Sequence, residues 1–286
     1  MTSAVEMTGP GEGHWLCPPG FVQGRVNGSL AYYREDVTPQ QLETLLAHDA
    51  ETLKETPKVQ VRAVEHWIIK QRRSGRGRAI LSPGQTRERH RCAWQAGHYL
   101  RAHGIRVPEP LAYVERSFAG AVTGSWHIFQ NLLHCRDVES YVSGMIERGV
   151  DGLSLEVFLQ HLAESLQAVE ACGAYHGDLS GKNIYTRDGV RFFLIDLDAV
   201  QLNVSHDEER RLKNHVQLYD SFCDALSDVL LVPFLESLLP ESCELRTWMP
   251  RVRAEQKKRR ERVEAHWAKH GYPEHINPLR EYRMHL

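Results

Sequence analysis

No stretch of this chain is apolar for long enough to cross a membrane. The most apolar segment, Val229 to Leu239, is short and carries Glu236, so it reads as a core helix. No basic residue precedes Arg25 and no apolar run lies near the start. No secretory leader is therefore expected, and the cytoplasm is the expected compartment. Cysteine is sparse: six residues are scattered with no C-x-x-C pair. That spacing argues against a zinc site or a disulfide framework and leaves reduced thiols, mostly core fillers. Excess charge is missing too, since 35 Lys and Arg face 37 Asp and Glu. The overall balance gives no reason to expect nucleic acid as a partner. What the chain does have is 286 residues, 42% of them hydrophobic, enough for a real core in one large domain or two lobes.

The order of elements suggests two lobes. Residues 1–20 are Gly- and Pro-rich and read as a flexible tail. Gly28 to Arg34 reads as a strand. Thr38-Pro39-Gln40-Gln41 supplies an N-cap, a proline at the first helical position and a capping-box glutamine. Leu42, Leu45, Leu46 and Leu53 then extend a helix to about residue 54. Residues 60–65 and 66–71 read as strands, 72–84 as a basic loop, and 86–103 as a helix closed by Gly104. Strand-like runs follow at Leu111–Val114 and Trp126–Leu132. Beyond Arg136 the pattern turns helical. Val157, Phe158, Leu162, Leu166 and Val169 form one apolar stripe ended by Gly173; Leu212, Val216, Tyr219, Cys223 and Leu226 form another. The expected class is α+β, with a β-rich N-lobe at 21–132 and a larger helical C-lobe at 133–286.

One constellation carries chemistry. Tyr175-His176-Gly177-Asp178-Leu179-Ser180-Gly181-Lys182-Asn183 precedes a hairpin whose Asp-Gly turn signal is Asp188-Gly189. Ile184-Tyr185 forms one arm and Val190 to Ile195 the other, and Asp196 follows. A hairpin returns its ends to one place, so Asn183 and Asp196 meet. An amide oxygen beside a carboxylate makes a hard-oxygen site suited to Mg²⁺. Asp178, five residues before Asn183, is placed to orient an attacking hydroxyl and accept its proton. His176 reads as a structural histidine packing the loop. The spacing is that of the kinase catalytic loop, H-x-D-x-x-x-x-N followed by a metal-binding Asp. Such an enzyme also needs a cation for the ATP phosphates, and Lys70, ending an apolar strand more than a hundred residues upstream, can serve.

On these residues the sequence resembles the bacterial lipopolysaccharide-core sugar kinases, the heptose and Kdo kinases with their InaA-like relatives. The likeness is also carried by Ile69-Lys70-Gln71-Arg72-Arg73, by His103-Gly104-Ile105 with Val107-Pro108-Glu109-Pro110-Leu111, by Asp137 to Tyr141, by Leu194 to Asp198, and by Leu218-Tyr219-Asp220-Ser221. It implies a two-lobed protein-kinase-like fold and phosphoryl transfer from ATP, with Mg²⁺, to a sugar hydroxyl of the lipopolysaccharide core or its lipid-linked precursor. It implies Lys70 at the ATP phosphates, Asp178 as base, Asn183 and Asp196 on the metal, and Gln130 to Leu133, with Leu132 among them, around adenine. It places the enzyme at the cytoplasmic face of the inner membrane.

The sequence departs from that pattern in three ways. No glycine-rich loop precedes Lys70, only Thr56-Pro57-Lys58. Ala93 and Trp94 stand where a helix Glu would pair with the lysine, and Glu88 is the nearest acid. Gly177 replaces the Arg of regulated protein kinases. Two basic clusters remain, eight Lys or Arg from Lys70 to Arg91 and seven from Arg251 to Arg262. Singly each reads as a solvated surface, and Arg76-Gly77-Arg78 reads as flexible linkage in preference to a phosphate nest. Jointly they suggest a phosphate-bearing partner, and the second suggests peripheral contact with an anionic membrane. A soluble small-molecule kinase of the aminoglycoside or choline type and a catalytically silent scaffold remain open.

Overall fold

The computed structural model describes residues 15–75, 81–271 and 276–284; the Arg76-Gly77-Arg78 segment lies outside the described residues. The chain divides into two units. One comprises the residues through Tyr99 with Pro108–Leu133, the other Leu100–Val107 with His134–Leu286.

The first unit is built on one antiparallel sheet. Its strands are β1 (Phe21–Val26), β2 (Ser29–Arg34), β3 (Glu51–Glu55), β4 (Val59–Val64), β5 (Trp67–Arg73), β6 (Pro110–Phe118) and β7 (Ala121–Gln130), in the order β1-β2-β6-β7-β5-β4-β3. Asn27 and Gly28 both take positive φ, the type I′ geometry whose twist matches a two-residue hairpin. Helix α1 (Pro39–Ala47) starts on the Thr38 capping box but ends well before residue 54. Glu51–Glu55 instead pairs with β4, and Leu53 sits in that strand, half in water. A ladder at the sheet edge has overridden a leucine spacing that happened to fit a helix. Strand alternation sorts the sheet's two faces. Ile69, Ile128 and Val114 pack with Leu42 of α1 in one cluster. Tyr32 and Tyr113 pack on the fully buried Trp94 of α2 (Pro83–Ala102) on the other. Residues 15–20 are not a free tail, because the Trp94 indole N–H donates to the Leu16 carbonyl at 2.9 Å.

The second unit is mostly helical: α3 (Val138–Glu147), α4 (Gly152–Ala171), α5 (Glu208–Phe222), α6 (Asp228–Ser237) and α7 (Leu245–His270). Asp137, Asp151 and Asp207 cap three of them, each carboxylate accepting a backbone N–H of the first turn. Two small sheets complete the unit: β8 (Arg136–Asp137) with β10 (Ile184–Thr186) and β11 (Phe192–Leu194), and β9 (Tyr175–His176) with β12 (Val200–Gln201). Val157 is exposed, one 100° step away from the stripe that Phe158, Leu162, Leu166 and Val169 bury. Val229 is exposed as well, and α6 buries only Leu231, Phe234 and Leu235. None of the six cysteines is disulfide-bonded, and they are half-buried or exposed rather than core.

The basic run on α7 is not bare. Arg260 lies buried between Asp220 and Asp224 of the α5 end, its Nη2 2.6 Å from Asp224 Oδ2. Arg259 also pairs with Asp220. Arg251 reaches Glu208 at 2.5 Å, Arg253 reaches Asp228 at 2.7 Å and Lys258 reaches Glu255 at 2.6 Å. Much of the positive charge that suggested an anionic surface as partner is thus neutralised within the protein. Removing one member of a buried ion pair strands the other, at about 3–5 kcal/mol. Arg260→Met leaves two buried carboxylates facing each other, so it should lower unfolding free energy by about that amount in a denaturant titration. A loss below about 1 kcal/mol would mean the network adds little.

His215 offers a second handle. Its Nδ1 accepts the Trp248 indole N–H at 2.9 Å, and burial, then the nearby Arg211, hold its pKa down at about 3. Between that value and the unfolded value near 6.5 only the unfolded chain takes the proton, so stability is lost as pH falls through this window. The slope approaches about 1.4 kcal/mol per pH unit. His215→Gln retains an acceptor for Trp248 and should flatten the stability profile between about pH 5 and 6.5. Parallel profiles for parent and variant would show that His215 does not carry this dependence.

Candidate active site

A surface loop that must present a carboxylate at a fixed place needs partners for its own backbone. The loop from Gly177 to Asn183 finds them on both sides. His176 is 1% exposed. Its Nδ1 accepts the Asp178 backbone N–H at 3.2 Å. The proton therefore sits on Nε2, which donates to the Ile195 carbonyl at 3.0 Å. Burial lowers its pKa, which keeps this neutral tautomer. From below, α5 supplies side chains. Gln217 Oε1 accepts the Leu179 N–H at 2.9 Å, and Ser221 Oγ accepts the Gly181 N–H at 2.8 Å.

Two glycines are required by space. A Cβ on Gly177 would stand 2.9 Å from the Ala199 carbonyl oxygen, where β9 and β12 pair. Glycine is thus the residue that fits at 177 without displacing that strand pair. A Cβ on Gly181 would stand 2.6 Å from Cγ of the buried Glu139 on α3.

The Asp178 carboxylate is held asymmetrically. Its Oδ1 accepts from Ser180 Oγ at 3.2 Å and from Gln217 Nε2 at 3.3 Å. Its Oδ2 faces Lys182 Nζ at 3.6 Å. The group is about one-third exposed. One oxygen is thus fixed by the protein and the other is open beside a cation.

Asn183 and Asp196 lie where the hairpin ends meet. Ile184 pairs with Leu194, and the Asn183 carbonyl accepts the Ile195 N–H at 3.0 Å. The Asn183 side chain donates through Nδ2 to the Asp178 carbonyl at 2.9 Å, which leaves its amide oxygen for another partner. Asp196 is exposed and left-handed, at φ 54° and ψ 50°. That conformation costs a non-glycine residue roughly 1–2 kcal/mol and is tolerated best by Asp and Asn. The Asp188-Gly189 signal does mark the turn, with Gly189 at positive φ. Residues 187–191 connect the arms, with Asp188 accepting the Val190 and Arg191 N–H groups at 3.0 and 2.9 Å. Val190 is exposed, so the second arm is only Phe192–Leu194. Among the described residues no group of three or more His, Cys, Asp and Glu side chains converges as a metal site.

Lys70, Gln130 and Leu132 all lie in the first unit. Lys70 does not end its strand: it is the fourth of seven residues of β5, paired with Val61 and His127. Alternation puts it on the α2 face with Tyr113 and Trp94. Burial, then the neighbouring Lys70 charge, press the His127 pKa down to about 3, so this neighbour stays neutral. On that face Arg91 of α2 forms an ion pair with the buried Glu115 of β6. Glu88 is exposed and makes no ion pair among the described residues. The turn between β3 and β4 is Thr56-Pro57-Lys58, with Thr56 Oγ1 accepting the Val59 N–H at 3.0 Å. A side-chain bond closes it without glycine. Gln130 ends β7 and exchanges bonds with Glu109, its N–H to the Glu109 carbonyl being 2.8 Å. Leu132 follows, half-buried.

The sequence reading gave no role to Gln217, Ser221 or Lys182. Gln217 and Ser221 are four apart on a helix whose apolar stripe had drawn the attention, and an i, i+4 polar pair on a buried face was the available signal.

The family model described as "Lipopolysaccharide kinase (Kdo/WaaP) family" matches residues 40–234, more than half of the chain. A comparison with curated proteins yields no match. Among solved structures, WaaP in complex with acyl carrier protein superposes with a TM-score of 0.59 at 19% identity, covering 77% of this chain and 91% of that one. At that identity the likeness speaks of the fold alone. A crystal structure of WbdD matches with a TM-score of 0.44 at 18% identity over 73% of this chain and 51% of that one.

Gln217→Leu keeps the volume and removes both the Leu179 contact and one hold on Asp178. The variant should stay folded, lose about 1–3 kcal/mol of stability for the unsatisfied N–H, and turn over at least about tenfold more slowly. Gln217→Glu, which can still accept from Leu179, should recover stability more than rate. Equal recovery of both would reduce Gln217 to a purely structural role.

Proposed function

Since the chain belongs to the lipopolysaccharide kinase (Kdo/WaaP) family, whose members are phosphotransferases acting on sugar, we propose that it transfers the γ-phosphoryl group of ATP to a heptose or Kdo hydroxyl of the lipopolysaccharide inner core. The observation that carries this reading is the asymmetric hold on Asp178. Ser180 and Gln217 fix Oδ1, and Oδ2 is left to accept the proton of an attacking hydroxyl as the new phosphate ester bond forms. The Lys182 ammonium stands 3.6 Å from that oxygen.

Asn183 and Asp196 fit a hard cation. One offers an amide oxygen whose nitrogen is already committed to Asp178, the other a carboxylate at the same hairpin end. With only these protein donors, Mg²⁺ would be shared with nucleotide phosphates and water, and it would neutralise charge on the transferring group. Lys70 would meet the ATP phosphates, and Gln130 and Leu132 would border adenine. The acceptor, as core oligosaccharide or its lipid-linked precursor, would be met at the cytoplasmic face of the inner membrane. No described helix is long and apolar enough to cross a membrane, so contact with that surface would be peripheral.

The test is steady-state phosphorylation of isolated lipopolysaccharide with Mg²⁺ and ATP. Asp178→Asn keeps the shape and removes the base, so kcat should fall by about 10²–10⁴-fold while nucleotide binding and melting temperature persist. Asp196→Ala should instead abolish the Mg²⁺ dependence of nucleotide binding. Full turnover by Asp178→Asn would remove the base from this account.

A further inference from the structure

Between α5 and α7 the second unit opens a groove of about 710 Å³, inside the range of roughly 300–1,000 Å³ typical of ligand sites. Leu212, Lys213, Val216 and Gln217 line it from α5. Gln217 joins it to the chemistry, because the same side chain donates to Asp178 Oδ1 at 3.3 Å. From α7 come Arg259, Arg262, Val263, His266 and Trp267.

The lining has an excess of usable positive charge. Lys213 is exposed and makes no ion pair among the described residues. Arg262 spends only Nε, on the Lys258 carbonyl at 3.2 Å, and keeps the rest of its five donors. Arg259 is paired with Asp220 yet still borders the groove. Of the two acids in the lining, Glu255 is taken by Lys258 at 2.6 Å, which leaves Glu209 at the start of α5. Beside these charges stand apolar walls and the half-buried Trp267, whose ring carries the Arg280 guanidinium at 5.1 Å. An aromatic face, aliphatic walls and forked cationic donors together suit a pyranose carrying anionic groups: C–H faces pack on the ring and anions meet the guanidinium.

We infer that this groove seats the acceptor as an anionic glycan, a saccharide bearing carboxylate or phosphate groups, and delivers its hydroxyl past Gln217 to Asp178. The inference rests on Asp178 being the base. A bare acyl chain would leave Lys213 and Arg262 without anionic partners at the groove, and so is disfavoured.

The experiment uses the full chain and delipidated core oligosaccharide, as isolated and after phosphatase treatment. Binding is read by calorimetry, and KM and kcat are read separately. The double variant Lys213→Gln, Arg262→Gln should weaken binding and raise the acceptor KM by about tenfold or more. Lys213→Arg keeps the charge and should bind more tightly than Lys213→Gln, and Trp267→Leu should weaken binding about as much as the double variant. Lys257→Gln removes one positive charge from α7 outside the groove and serves as control. Affinity lost on phosphatase treatment identifies phosphate as the recognised group; affinity retained identifies carboxylate. Unaltered oligosaccharide binding in the double variant and in Trp267→Leu overturns the groove. So does an effect confined to lipid-bearing acceptor, which would put the acyl chain there. Because calorimetry needs no turnover, groove-dependent binding without phosphorylation would overturn the function proposed above and leave the groove standing.

Discussion

The loop that carries Asp178 has to expose a carboxylate while burying its own backbone. Leu179, Ser180, Gly181 and Asn183 are all buried, and an unpaired N–H there would cost about 1–3 kcal/mol. The chain solves this with three side chains from outside the loop: His176, Gln217 and Ser221. The rest of the arrangement depends on that solution. The same bonds that satisfy the backbone fix the direction of the Asp178 carboxylate, so folding and site geometry share one set of contacts.

The helix that supports the loop is itself held by charge. Asp220 and Asp224 at the end of α5 are taken up by Arg259 and Arg260. α7 is therefore pinned beside α5 at the level of Ser221. The strength of such a cluster lies less in net stability than in what its loss exposes. It also redistributes the chemistry of α7. The pinned arginines are structural, while Lys213 of α5 and Arg262 keep donors to spare where the groove opens. A run that looks uniform in the sequence is divided by packing into anchors and lining.

Much of this was legible without coordinates. The spacing of Asp178, Asn183 and Asp196 about a hairpin brought their backbones together as expected, because a hairpin's closure is a local consequence of its turn. The alternation of strands up to residue 132 and helices beyond gave the α+β class. What failed was set by partners distant in the chain. Leu53 fits a helical spacing but lies in an edge strand, since only β4 determines its register. Phe21–Val26 was overlooked although Asn27-Gly28 is a strong hairpin signal. Arg251 to Arg262 read as a bare basic surface because, Glu255 apart, the acids that neutralise it lie upstream, between Glu208 and Asp228. Gln217 could not be singled out, since a glutamine's role depends on the groups it faces.

Locating the added phosphate tests the account most directly. Core oligosaccharide from a strain lacking this protein, incubated with the purified enzyme, Mg²⁺ and ATP, would be mapped by tandem mass spectrometry. The account predicts one new phosphate ester on a heptose or Kdo residue, present with the parent enzyme and missing with Asp178→Asn. Unmodified oligosaccharide alongside intact ATP, or a phosphate that appears equally with Asp178→Asn, would contradict it.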